Sequence, residues 1–471
     1  MPLLPSGPGG VHASAHAWHL ANADSGPVRR SRNNYFSCTY LSTHVVVFPQ
    51  QDKLCNHSTS PRVSLSSPLP MKTLALAVLI AVSTLALPAS EQNPTLSAPT
   101  TSLKGKVYPD EHKTFVAPES GLEVIQLTTS PADDAHLYFT GDGFVPDEHG
   151  LVFTSKRSGS WNLFYMNLET FQFVQLTDSK KISGTGAVVS PVTKEAYYHD
   201  GSVIKAVDLH TLAERTITTV PAGYSVSSLS VTISGNNLAY SIQENIPITT
   251  KTDKIYSDMA ERFQKRPWCA VVTGRTDGTG WHEVIRKKKW ISHTLIDPLN
   301  ENIILYCHEG SWREVEQRMW VVDSGGRDNH LLRPEEKPAV EIGHEYWFRD
   351  GIHVGYQVHV PDEPKSIGVA DVIDGSYLEY ATPYSDSHTQ ANSRGDVFVG
   401  DGSEKEPYIN LYKLADGKLT GRHLWKHEGS FAQQYWHPHP RFSPDDKYVL
   451  FTSNRGGDGN VYLIKLEEPK K

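Results

Sequence analysis

The chain has 471 residues, 45 Lys and Arg against 53 Asp and Glu, a formal net charge of −8 and four cysteines. An acidic chain lacks the basic footprint by which proteins bind nucleic acid. So few cysteines also exclude a small scaffold framed by disulfides.

Residues 1–70 are rich in Ser, Pro and His and carry no sustained periodicity. They read as a disordered or mis-assigned N-terminal extension. Met71-Lys-Thr73 then opens an apolar run over 74–87, closed by Pro88-Ala-Ser90. A lone lysine, about fourteen apolar residues and small residues beyond them form a secretory signal peptide over 71–90. A membrane span needs about twenty, so no stable membrane association is expected. With Met71 as the initiator, the chain is expected to be secreted. Loss of 1–90 removes six bases and two acids, which takes the net charge from −8 to −12. Cys269 and Cys307 then remain and allow at most one disulfide. Residues 91–112 read as a linker.

From residue 113 one pattern recurs: a polar turn, an apolar strand, a second strand with aromatics, then another turn. The strand-opening turns include Pro146-Asp-Glu-His-Gly150, Ser190-Pro-Val-Thr-Lys194, Ser234-Gly-Asn-Asn237 and Asp297-Pro-Leu-Asn300. Arg349-Asp-Gly351, Asn392-Ser-Arg-Gly-Asp396 and Ser443-Pro-Asp-Asp446 complete the set. Seven such units, on average about 50 residues apart, are the signature of an all-β, seven-bladed β-propeller over 113–471. The segment Gly121-Leu-Glu-Val-Ile-Gln-Leu127 precedes the first full unit and is expected to complete the seventh blade and close the ring. The long third unit, around Glu244–Arg266, reads as an insertion with some helix.

Chemistry-bearing residues cluster in the last four units. The fourth carries Cys307-His308-Glu309-Gly310 and Arg318-Met-Trp320, and Gly343-His344-Glu345-Tyr-Trp347 enters the fifth. Asp386-Ser-His388 enters the sixth, and His437-Pro-His439-Pro440, with Gln434 three residues before it, enters the seventh. In extended backbone a His-x-His pair points both rings to one face, where two imidazoles and an amide oxygen suit a divalent cation. Equivalent positions project to the same mouth of the ring, so His344, His388, His437 and His439 are expected to converge.

These motifs, together with Gly400-Asp-Gly402, resemble those of the oligogalacturonate lyases, seven-bladed propeller enzymes of pectin breakdown. The resemblance extends over roughly 113–471. It implies that His388, Gln434, His437 and His439 hold manganese, that His344 is the catalytic base, and that Arg318 assists at the charged reaction centre. No organic cofactor is implied. The implied reaction cleaves digalacturonate and short pectin fragments by β-elimination to 4-deoxy-5-keto-uronate products. Its physical logic is sound. The proton to be removed lies beside a carboxylate, where negative charge is hard to create, and a Lewis acid on that carboxylate withdraws it. Other divalent transition metals also suit imidazole ligands.

His136, Trp161, His308 and Glu309 are further candidates for substrate contact. The leader and the segment Ser311-Trp-Arg-Glu314 depart from the family pattern. Two alternatives remain at this level. A non-catalytic binding propeller needs no convergent histidines. A metal-dependent glycoside hydrolase needs an acid such as Glu309 or Glu345 to activate water.

Overall fold

The computed structural model describes residues 102–250, 252, 256–311, 314–335 and 340–466. The N-terminal extension, the signal peptide and residues 91–101 of the linker lie outside the described residues. No helix among the described residues is long and apolar enough to cross a membrane.

Seven antiparallel sheets follow one another along the chain, and each is a blade. The second blade is the plainest: strands Ala187–Ser190, Glu195–Asp200, Val203–Asp208 and Glu214–Thr219 pair in sequence order. First strands of neighbouring blades, such as Tyr224–Val231 and Ile291–Ile296, touch one another. They therefore line the central axis, and the fourth strands lie at the rim.

Side chains alternate across each strand, so every blade has two apolar faces to cover. In the strand Asn460–Lys465, Val461 and Leu463 face the first blade, whereas Tyr462 and Ile464 face the sixth. The buried residues fall into seven such clusters, one for each contact between consecutive blades, the seventh against the first included. A ring with seven filled interfaces is closed. A blade alone would leave both faces in water.

Closure uses the N-terminal segment, as the sequence leads one to expect. Glu123–Gln126 pairs antiparallel with Asn460–Lys465 in the seventh blade, and Lys113–Val116 adds a further strand outside it. One boundary moves. Val107 and Tyr108, placed in the linker by the sequence, pair with Val174 and Phe173 at the rim of the first blade. The Tyr108 ring stacks on Phe173 at 5.3 Å, which gives this stretch its own reason to be ordered. The insertion of the third blade contains one short helix, Met259–Lys265. Cys269 and Cys307 are both buried and both free.

Candidate metal centre and catalytic site

The first strands of blades four to seven share a local device. In each, the N–H of the last residue before the turn bonds the start of the second strand: Asp297 to Ile303, Phe348 to His353, Asn392 to Val397 and Ser443 to Tyr448. Counting back four residues from these gives His293, His344, His388 and His439. In the fourth and fifth blades the register slips at this point, between Ser292 and Leu295 and between Gly343 and Tyr346. Such a bulge re-aims a side chain toward the axis. His293, His344 and His439 have left-handed backbone, φ +46°, +56° and +46°, which costs an L residue about 1–2 kcal/mol.

His388, His437 and His439 are buried, and one ligand atom from each lies within 4.8 Å of the other two. Ring centroids are 4.3 Å apart for His388 and His439, 5.4 Å for His437 and His439, and 5.5 Å for His388 and His437. The pair does not lie in a strand. Gln434–Trp436 form a turn of 3-10 helix, His437 has φ −58° and ψ 136°, and His439 is left-handed. The rings converge through this turn rather than through strand alternation.

Each ring is oriented by a fixed partner. His388 donates its Nδ1–H to Asp401 Oδ2 at 2.6 Å, and its Nε2 is buried with no hydrogen-bond partner. His437 donates Nε2–H to the carbonyl of Phe431 at 2.9 Å, and its Nδ1 is likewise buried and unpartnered. The Gln434 amide meets His439 Nε2 at 3.2 Å, and its oxygen accepts the Tyr256 hydroxyl at 2.7 Å. Burial, with the neighbouring imidazoles, holds His388 and His439 far below the usual histidine range, and burial lowers His437. All three rings are therefore neutral near pH 7. Orphaned buried lone pairs on neutral imidazoles are costly unless a cation accepts them, so this donor set fits a divalent transition metal.

Asp401 belongs to the Gly400-Asp-Gly402 motif. It also accepts the backbone N–H groups of Ser387 and His388, at 2.8 and 2.7 Å. A Cβ at Gly400 would meet the Asp386 carboxyl at 2.3 Å, so only glycine lets these two carboxylates nest. Asp386 is itself tied by Tyr412, Asn410 and the Gly402 N–H.

His344 sits beside the cluster, its centroid 4.2 Å from that of His388. Its Nδ1–H donates to the Gln357 amide oxygen at 3.0 Å, which leaves Nε2 as the basic nitrogen. Burial pushes its pKa down to about 4. Phe139, fully buried, packs against the rings of His344, His388 and His439.

A second, charged cluster adjoins it. Arg318 is buried and donates to Glu345 at 2.6 and 3.4 Å and to Glu309 at 3.0 Å. His293 donates Nδ1–H to the same Glu345 at 2.8 Å. Burial pushes these acids up, but Arg318 and His293 outweigh it and keep Glu309 and Glu345 ionised. His293, Cys307 and Glu345 also offer atoms within 4.8 Å of one another. Burial drives the Cys307 thiol up, so no thiolate forms, and the Glu345 carboxylate is already engaged by Arg318 and His293.

The two clusters open into one cavity of about 1200 Å³, lined by His293, Glu309, Arg318, His344, His388, Gln434 and His437 among others. His439 lies behind, in ring contact with His388 and Tyr138.

Three expected contacts fall elsewhere. His308 faces away from the cavity, against Trp320 and Tyr306, at 5.1 and 5.8 Å. Alternation decides this: Cys307 and Glu309 take the inner face, so the residue between them cannot. His136 is buried beneath the centre, bonded to the Pro438 carbonyl at 2.9 Å and outside the cavity lining. It braces the His437-Pro-His439 turn. Trp161 packs edge-on against Tyr435 at 5.0 Å, with Lys156 over its ring, and does not reach the cavity. Glu309 does line it. Sequence reasoning missed His293, whose position four residues before Asp297 was the available signal. It also missed the roles of Asp401, Gln357 and Tyr256.

Comparison with known proteins bears on this arrangement. Residues 102–470 match the family model described as oligogalacturonate lyase. An oligogalacturonide lyase of Pectobacterium atrosepticum is 28% identical over 398 residues, 78% of this chain and 98% of that protein. A solved structure of an oligogalacturonate lyase in complex with manganese superposes with a TM-score of 0.72 at 26% identity, covering 78% of this chain and 98% of its own. The structure of an oligogalacturonate lyase from Vibrio parahaemolyticus also gives a TM-score of 0.72 at 26% identity, over 78% of this chain and 100% of that one.

Proposed function

This chain belongs to the oligogalacturonate lyase family, and from that premise we propose that it cleaves short oligogalacturonides by metal-assisted β-elimination, with His344 as base and manganese held by His388, Gln434, His437 and His439. One observation carries the assignment of residues: the unpartnered nitrogens of neutral His388 and His437 converge with His439, and the His388 ring lies 4.2 Å from that of His344, whose tautomer is fixed by an amide. A half-turn of the Gln434 amide presents its oxygen to the same point. A divalent cation bound there supplies Lewis-acid withdrawal of charge from the substrate carboxylate.

The residues of the chain account for the rest. His344 is neutral at working pH, so its Nε2 can take the proton on carbon five. Base catalysis of this kind is worth about 10²- to 10⁴-fold. Arg318 lines the cavity with three of its five N–H groups committed to Glu309 and Glu345. It sets fixed positive charge beside the carbon where negative charge develops. Phe139 packs behind the His344, His388 and His439 rings and holds them in place. A hydrolase reading is disfavoured because Glu345 and Glu309, the acids that would activate water, are spent on Arg318, His293 and Ser292.

The test is incubation of purified protein with digalacturonate and Mn²⁺, with and without chelator. An unsaturated or keto-uronate product that disappears with chelator is expected. No such product under any divalent metal overturns the reading. The apolar run over 74–87 supports export of the enzyme, and N-terminal sequencing of protein recovered outside the cytoplasm checks it. Material beginning at residue 1 would count against it.

A further inference from the structure

We propose that His293 is the general acid of the elimination, delivering a proton from Nε2 to the oxygen that leaves carbon four; this deepens the lyase reading and rests on it. Breaking that bond leaves an alkoxide of high basicity, and a positioned proton donor lowers the barrier. The base His344, which takes the proton from carbon five, does not supply one.

The case rests on a difference between two histidines at the same place in adjacent blades. His293 and His344 occupy matching bulge positions, and their rings are 6.3 Å apart, centroid to centroid, on one cavity. His344 donates its Nδ1–H to a neutral amide, Gln357 at 3.0 Å. His293 donates its Nδ1–H to a carboxylate, Glu345 at 2.8 Å. The partner of His293 is thus an anion that can sit beside a ring carrying both protons, and the partner of His344 is neutral. Paired groups with opposed environments mark the acid and the base.

Charge counting agrees. Glu309 and Glu345 carry two negative charges against one on Arg318. A protonated His293 makes this buried set neutral. Orientation agrees as well. With Nδ1 held by Glu345, Nε2 meets the Tyr138 hydroxyl at 3.4 Å, and both residues line the cavity. The His293 side chain is 15% exposed and Glu309 12%, whereas Arg318 is 3% and Glu345 1%, so the histidine is the proton-bearing member of the cluster most open to a ligand.

The step balances without a co-reactant. The C5–H bond breaks and its proton goes to His344. The electron pair forms the C4–C5 double bond and the C4–O4 bond breaks, its pair going to O4. His293 passes its proton to O4. The two histidines end with exchanged protonation states, and exchange with solvent resets them.

The experiment compares leaving groups on the manganese-loaded enzyme. Digalacturonate and a galacturonate bearing 4-nitrophenolate at carbon four are assayed with wild type and with His293→Gln. Loss of a proton donor is expected to slow digalacturonate about 10²- to 10⁴-fold, while the nitrophenolate substrate, which needs no proton, stays within a few-fold of wild type. Equal losses on both substrates overturn the proposal, because they indicate only a structural role through Glu345 and Arg318. If His293→Gln does not fold, a series of 4-aryl ethers on wild type decides. Rates nearly independent of leaving-group basicity are expected, and a steep dependence overturns the proposal. Wild type inactive on every substrate would instead sink the lyase reading.

Discussion

His388 Nδ1 lies 2.6 Å from Oδ2 of Asp401, and both side chains are buried. This contact fixes the tautomer, so that Nε2 carries the lone pair toward His437 and His439. Carboxylate partners of this kind orient a metal-binding imidazole and raise its basicity. Asp401→Asn should therefore weaken manganese binding by about 10- to 100-fold while leaving the fold intact. Calorimetric titration with Mn²⁺ reads the change, and excess metal should restore most of the turnover. Unaltered affinity would show that the carboxylate plays no part in the site.

The base assignment makes a sharper demand. His344→Ala is expected to lower kcat by about 10²- to 10⁴-fold with Mn²⁺ binding unchanged, since this ring contributes no atom to the cluster of His388, His437 and His439. Gln357→Leu removes the acceptor that fixes its tautomer, and a smaller loss in the same direction should follow. Near-normal turnover in His344→Ala would refute the assignment.

Ring closure can be probed apart from chemistry. Ile464 is fully buried in the cluster between the sixth and seventh blades, and its strand pairs with the N-terminal strand Glu123–Gln126. Ile464→Ala should cost about 2–5 kcal/mol, read as a lower urea midpoint. A loss near zero would mean that the last blade does not contribute to cooperative unfolding.

Much of this was legible because the repeat supplies a register. Once the turns are aligned, His344, His388 and His439 fall at one position in consecutive units, and equivalent positions in a ring must share a mouth. The N-terminal closing strand was legible for the same reason, as a half-repeat with no partner of its own. His293 occupies the same register, but Thr294-Leu-Ile follows it instead of an acid and aromatics, so motif reading passed over it. His308 was misplaced because it was read as part of Cys-His-Glu rather than as the odd member of a period-two strand. The strand at Val107–Tyr108 escaped notice because two residues carry no periodicity. The rings of Phe173 and Phe164 in the first blade, against which Tyr108 packs, explain it. The pairings of Arg318 with Glu309 and Glu345 join residues that no local pattern connects.

Buried histidines make the metal-free protein sensitive to acid. Burial pushes His136 and His427 down to about 4 and His308 to about 3. Their unfolded pKa is about 6.5, so below that pH the unfolded chain binds protons that the folded one refuses. Stability is then complete above about pH 6.5 and falls as the pH drops toward 4. Each group contributes up to about 1.4 kcal/mol per pH unit. His308 is the cleanest to remove, being packed on Trp320 and Tyr306 with its Nε2 unpartnered. Between pH 7 and pH 5, His308→Phe should lose about 2 kcal/mol less than wild type, measured by urea midpoints. Parallel pH profiles would contradict this.

Arg318 cannot be judged by turnover alone. It is buried between Glu309 and Glu345, and a neutral replacement strands two ionised carboxylates away from water. Breaking such a pair from one side typically costs about 3–5 kcal/mol. Arg318→Met is therefore expected to be both slow and unstable, with manganese binding retained because His388, His437 and His439 do not touch the guanidinium. The double variant Arg318→Met with Glu345→Gln separates the two effects. Removing the stranded charge should recover a good part of the stability, since neighbouring substitutions in one network are not additive, while turnover stays low. Recovery of turnover together with stability would mean that Arg318 serves the fold and has no direct part in the reaction.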